Sequence, residues 1–189
     1  CDYEAALDAS STAQRLLWTP PSFFRTSEAR FFEVLSRAAC CDGASRAQDG
    51  QHLEVLTRHH GELVEWARTC PENFQNRAAL VGAEIARIEG REIDAQRLYE
   101  SAIRSAREQG FVHHQALAAE FAARFYTARG FDTIASAYLR DARRGYLEWG
   151  AAGKVRQLDE QYPSVRDDDH GNTATTVNTP FALSLREPF

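Results

Sequence analysis

Glycine recurs at positions 90, 110, 130 and 150 of this 189-residue chain, and that even spacing constrains the fold more than any other feature. Glycine just past a helix end takes up the left-handed conformation that other residues adopt only at a cost. The spacing therefore predicts helices joined by tight turns, in hairpins that repeat every 40 residues from Gly90 to Gly130 and from Gly110 to Gly150. The helices after Gly90 and Gly130 align without a gap, so that Ala95, Tyr99 and Ala102 fall on Ala135, Leu139 and Ala142. Small, large and small at i, i+4 and i+7 share one helical face, where the small residues admit a neighbouring helix and the large one fills the groove. A weaker copy, Ala5, Ala9 and Thr12, lies in the first helix.

This pattern resembles the second helix of a tetratricopeptide repeat, and Tyr126 falls where that repeat places an aromatic in its first helix. The period is 40 rather than 34, and the first-helix Trp, Leu and Gly are missing, so the units are degenerate members of the stacked-hairpin class. Breaks at Pro20-Pro21, Asp42-Gly43, Pro71 and the four glycines predict helices over residues 2–17, 22–41, 51–68, 73–89, 93–109, 114–129, 133–149 and 152–161. In residues 93–109 the stripe Ala95, Leu98, Tyr99, Ala102, Ile103 and Ala106 is apolar, while Arg97, Glu100, Arg104 and Arg107 lie off it. The helix before each such element is apolar around more of its circumference, which predicts a position between neighbours. Glu100 with Arg104 and Glu120 with Arg124 have the i, i+4 order of a solvated face.

The expected fold is all-α: stacked antiparallel helical hairpins over residues 1–163, then a disordered tail over 164–189 that is a flexible linker or the truncated start of a following domain. In that stretch Asp167-Asp168-Asp169 and a Thr- and Asn-rich run offer nothing to pack. The chain has no methionine and starts with Cys1, which predicts a piece of a longer protein whose first hairpin is cut.

Composition narrows the function. Hydrophobic residues at 43% and charged residues at 26% suit a globular protein, and a net charge of −5 argues against a partner held by phosphates or an anionic membrane surface. No apolar run is long enough to span a bilayer, and Cys1 to Ser10 lacks a signal-peptide layout, so the expected compartment is the cytoplasm. The phosphate-binding loop is absent, since the only lysine sits in Gly153-Lys154-Val155 without a following Ser or Thr. Dinucleotide, nucleophile-elbow and kinase catalytic-loop signatures are absent as well.

Three constellations are candidates for chemistry. His52, His59 and His60 with Cys40, Cys41 and Cys70 could converge on a metal in a helical enzyme, though no CxxC, HxxxH or HExxH spacing occurs. Phe121, Phe125, Tyr126 and Tyr138 could line a small-molecule or peptide pocket, or simply pack a core. Arg140, Arg143 and Arg144 beside Tyr146 could form a patch for an acidic peptide or phosphate, or a solvated arginine face. His113-His114 reads as a pair at a helix start. No catalytic, cofactor-binding or metal residue is assigned.

Longer strings carry a second resemblance. Cys70-Pro71-Glu72-Asn73-Phe74, Asn76-Arg77-Ala78-Ala79-Leu80-Val81, Ala83-Glu84-Ile85-Ala86-Arg87, Ala122-Ala123-Arg124-Phe125-Tyr126, Ala137-Tyr138-Leu139-Arg140-Asp141-Ala142 and Gly153-Lys154-Val155-Arg156-Gln157-Leu158 are among them. From Asp2 to about Pro163 the chain is similar to the helical region of large bacterial multi-sensor signalling kinases. In these proteins a serine/threonine kinase-like domain and an AAA-type ATPase precede the helical repeats, and GAF and histidine-kinase domains follow. The resemblance implies a non-catalytic scaffold that couples those flanking domains, with ATP bound outside this segment and no cofactor within it. It carries no catalytic residue onto this chain.

Overall fold

The computed structural model of the chain describes residues 3–16, 23–41 and 46–164. Among them are eight helices: α1 (Tyr3–Leu16), α2 (Phe23–Cys40), α3 (Arg46–Thr69), α4 (Pro71–Ile88), α5 (Glu92–Glu108), α6 (Val112–Thr127), α7 (Asp132–Trp149) and α8 (Ala152–Gln161). The all-α reading holds. The Asp167–Asp169 run and the expected tail from 165 onward lie outside the described residues.

Gly90, Gly110, Gly130 and Gly150 all have φ between 72° and 82°. At Gly110 the local reason is visible in two hydrogen bonds: Gly110 N–H donates to the Arg107 carbonyl at 3.2 Å, and Phe111 N–H donates back to the Ala106 carbonyl at 2.9 Å. This is the Schellman closure, which satisfies carbonyls that a helix end leaves without a partner. The residue after the glycine also starts the next helix, because the Phe111 carbonyl accepts from Gln115 N–H at 2.9 Å. Arg91, Phe131 and Ala151 repeat this double role, with N–H given to Ala86, Tyr126 and Tyr146 and carbonyls accepting from Ala95, Ala135 and Val155. One residue thus ends one helix and begins the next, and none of the four starts needs a side-chain cap.

The helices stack in two rows. Successive helices pack on one another, and α4 also touches both α2 and α6, so α2, α4 and α6 form an inner row backed by α3, α5 and α7. Position in the inner row explains the burial of α4, whose residues from Asn76 to Ala86 are buried without interruption. α6 is nearly as enclosed, with alanines 116, 118, 119, 122 and 123 all buried. The repeated signature does the work its spacing predicts: Ala95, Tyr99, Ala102, Ala135, Leu139 and Ala142 are each at most 4% exposed. Close approach reaches a limit where α7 crosses α6, since a Cβ at Gly145 would lie 2.8 Å from the Ala116 Cβ.

Two expectations change. α3 begins before residue 51 because Gly50 lies in open space within the helix and does not interrupt it. In α1, Ala5, Ala9 and Thr12 are exposed, so the weaker copy of the signature is not used for packing. Among the described residues α1 packs on α2 and on no other helix.

Candidate functional site

The inner row leaves a groove, and in it a cavity of about 240 Å³ opens between α2, α6, α7 and the start of α8. α2 contributes Phe32 and Leu35, α6 contributes His114, Leu117 and Phe121, and Trp149 at the end of α7 completes an aromatic rim. Phe32 and Trp149 are 46% and 55% exposed, which makes them the large apolar side chains at the mouth.

At the cavity's polar end stands Glu120, only 6% exposed. Its carboxylate accepts from the Tyr146 hydroxyl at 2.6 Å and from Lys154 Nζ at 2.8 Å, joining α6, α7 and α8. Lys154 also donates to Gln157 Oε1 at 3.2 Å. A buried carboxylate is tolerable when charge-assisted donors replace its water, and both oxygens are engaged here. This corrects the i, i+4 reading: Glu120 is a buried node, while the guanidinium of Arg124 lies 4.0 Å over the Phe121 ring.

A parallel node lies behind the adjoining smaller cavity of about 150 Å³. Glu84, 2% exposed, accepts from Tyr99 Oη and from Arg87 Nε and Nη2 at 3.1 and 2.9 Å. Arg87 reaches on to the Ala38 carbonyl at 2.9 Å and so ties α4 to α2. Burial, followed by the Glu84 charge, pushes the Tyr99 hydroxyl well above the ordinary phenol range. Further along the row Arg77, 3% exposed, pairs with Glu28 and lies 5.5 Å from the centre of the Phe74 ring.

The second wall of the larger cavity is a run of rings. His114 lies 4.1 Å from His113 and 5.3 Å from Phe31, and His113 stacks on Trp149 at 5.3 Å. Burial, then the neighbouring His113, pushes the His114 imidazole down to about 3, and burial lowers His113 in the same direction. Near neutral pH His114 therefore has no extra proton to give and is a weak base, while Glu120 is already spent on two donors. The arrangement suits binding by shape and hydrogen bonding more than proton transfer.

The sequence candidates separate. Tyr146 is 2% exposed and bound to Glu120, Arg143 pairs with Asp159 of α8 at 2.7 Å, and Arg144 pairs with Asp141 while keeping its side chain 76% exposed. Arg140, Arg143, Arg144 and Tyr146 thus do not share one open patch, because the α7 face carrying Tyr146 is turned into the stack. Of the proposed aromatic pocket, Phe121 lines both cavities and Phe125 the smaller one, whereas Tyr126 stacks flat on Tyr138 at 5.5 Å. His59 meets Glu62 at 3.3 Å, His60 faces Gly82 of α4, and Cys70 accepts from Asn73 at 3.0 Å. Among the described residues no three His, Cys, Asp or Glu side chains converge as a metal set. His59 and His114 are buried rather than surface histidines.

Sequence alone places Glu120 on a solvated face and His114 at a helix start, although the 40-residue offset marks both as core positions. Glu120 stands where the preceding unit has Leu80, and His114 where it has Phe74. Among the described residues no helix is long and apolar enough to cross a membrane. Comparison with protein-family models, with curated proteins and with solved structures finds no match to this chain.

Proposed function

We propose that the chain is a non-catalytic helical coupling module whose inner groove holds a polypeptide segment, either from a partner or from a flanking domain of the same protein. The resemblance to multi-sensor signalling kinases supplies the setting: kinase and ATPase domains on one side, sensory domains on the other, in the cytoplasm. The observation that supports the reading is the groove itself. Its row of helices is backed on one side by α3, α5 and α7, and its open side shows exposed Phe32 and Trp149 above the buried Glu84 and Glu120 nodes. Stacked hairpins offer such faces for contact, and exposed aromatics over a rigid apolar seat are the usual anchors of protein interfaces.

The test is site-specific photo-crosslinking in the source cell. A photoreactive phenylalanine replaces Phe32 or Trp149 in the groove, and Arg97 or Arg104 as controls on the polar face of α5. Crosslinks from both groove positions to one defined segment, with none from the controls, support the proposal. Equal yields from groove and control positions, or ATP hydrolysis by the purified chain above a buffer blank, contradict it.

A further inference from the structure

The imidazole of His114 is 2% exposed and lines the larger cavity, yet neither Nδ1 nor Nε2 meets a protein donor or acceptor. A neutral imidazole offers one N–H and one lone pair. Burying both without a partner is costly, and native structures rarely leave such a group unexplained. The His114 ring packs against those of Phe31, Phe111 and His113, with centroids at 5.3, 5.5 and 4.1 Å.

The rest of the cavity restricts what could meet it. The stacked pair of His113 and Trp149 and the side chains of Leu35, Leu117 and Phe121 give the cavity an aromatic and apolar lining that favours a planar apolar body. An apolar cavity of about 150 Å³ already admits benzene, so one of about 240 Å³ has room for one or two fused rings. A cation would sit close to Arg124, and an anion would lie beside the Glu120 carboxylate and compete with it for Lys154.

We propose that the cavity between α2, α6, α7 and α8 binds a small, uncharged, planar aromatic molecule whose hydroxyl or ring N–H hydrogen-bonds to His114. The cavity lies within the groove proposed to hold a polypeptide and shares Phe32 and Trp149 with it, but small-molecule binding to the isolated chain needs no polypeptide, so the two readings fail separately.

The test is calorimetric titration of the full 189-residue chain with phenol, indole, toluene, benzoate and benzylamine, alongside the ¹⁵N shifts of the His114 ring. Phenol and indole are expected to bind saturably, in about the millimolar range set by so few atoms, and to move the His114 nitrogen shifts. Toluene binds at least about tenfold more weakly, since it leaves the imidazole without a partner, and the charged probes bind more weakly still. His114→Phe keeps the ring and loses the preference for phenol over toluene. Ser36→Phe, placed at the half-exposed edge of α2, fills the cavity and abolishes binding of every probe while the circular dichroism of the chain is kept. No saturable binding to the wild-type chain overturns the proposal. So does a phenol preference that persists in His114→Phe, undiminished binding in folded Ser36→Phe, or a preference for benzoate or benzylamine.

Discussion

Acidification is the perturbation that most sharply separates a buried, unpartnered His114 from an ordinary surface histidine. The group ionises at about 3 in the folded chain against 6.5 when free, so between those values the unfolded chain binds more protons than the folded one. Stability from this residue is therefore fully present above pH 6.5 and drains away as pH falls through the window. Integrating the proton difference from pH 7 to pH 5 gives a loss of about 2 kcal/mol from this one side chain. For a helical chain of this size, with a urea slope of about 2 kcal/mol/M, the denaturation midpoint drops by about 1 M. Burial lowers His60 and His113 too, and they act in the same direction, so wild type alone does not isolate His114. His114→Phe does, since it keeps a ring at the place that Phe74 occupies one unit earlier. The assay is urea denaturation of both proteins at pH 7 and pH 5, followed by circular dichroism. The variant is expected to hold or gain stability at pH 7 and to lose about 2 kcal/mol less than wild type on going to pH 5. Parallel pH dependences in the two proteins would refute the buried, unpartnered assignment.

Four further substitutions probe the scaffold by equilibrium denaturation at neutral pH. Gly145→Ala gains about 1 kcal/mol of helix propensity but presses a methyl to 2.8 Å from the Ala116 Cβ, at a cost of about 1–3 kcal/mol. A net loss is expected, and a more stable protein contradicts the close crossing of α6 and α7. Tyr146→Phe removes one of two donors to buried Glu120 and should cost about 1–2 kcal/mol; an unchanged midpoint means that the hydroxyl carries no weight. Gly110→Ala, at φ +72°, should cost about 1–2 kcal/mol. Gly153→Ala, helical with nothing within 4 Å, should gain about 0.5 kcal/mol. The opposite ordering of these two glycine variants overturns the capping account.

The fold was legible because its signals are local. A Schellman turn is written within six residues, so four glycines 20 apart announce four turns, and Ala95-x₃-Tyr99-x₂-Ala102 announces a packing face within two turns of helix. The first three helices carry no such metronome. There the helix expected from residue 51 starts at Arg46 with Gly50 in its interior, because an exposed glycine weakens a helix without stopping it.

The site was less legible because its residues meet across long separations. Tyr146 and Lys154 are 26 and 34 positions from Glu120, and nothing in the i, i+4 pattern distinguishes a glutamate that reaches its own helix from one that reaches two others. What the sequence did hold was the exception to its own repeat. A carboxylate replaces Leu80, an imidazole replaces Phe74 and a tyrosine replaces Ala106 one period on, all three around one cavity. In a repeated architecture the core positions that break the repeat are where a polar function has been inserted into the packing. The residues of the arginine patch separate for the complementary reason: Arg143 and Tyr146 are close in sequence but reach Asp159 of α8 and Glu120 of α6.

In the proposed coupling module the row α2, α4 and α6 is a contact face backed by α3, α5 and α7. Hydrogen–deuterium exchange tests this most directly, by comparing the 189-residue chain alone with the chain carrying the segment crosslinked at Phe32 or Trp149. Added protection is expected in α2, α4 and α6 and around Trp149, with α3 and α5 unchanged. Equal exchange in both settings, or added protection confined to α3 and α5, would contradict it.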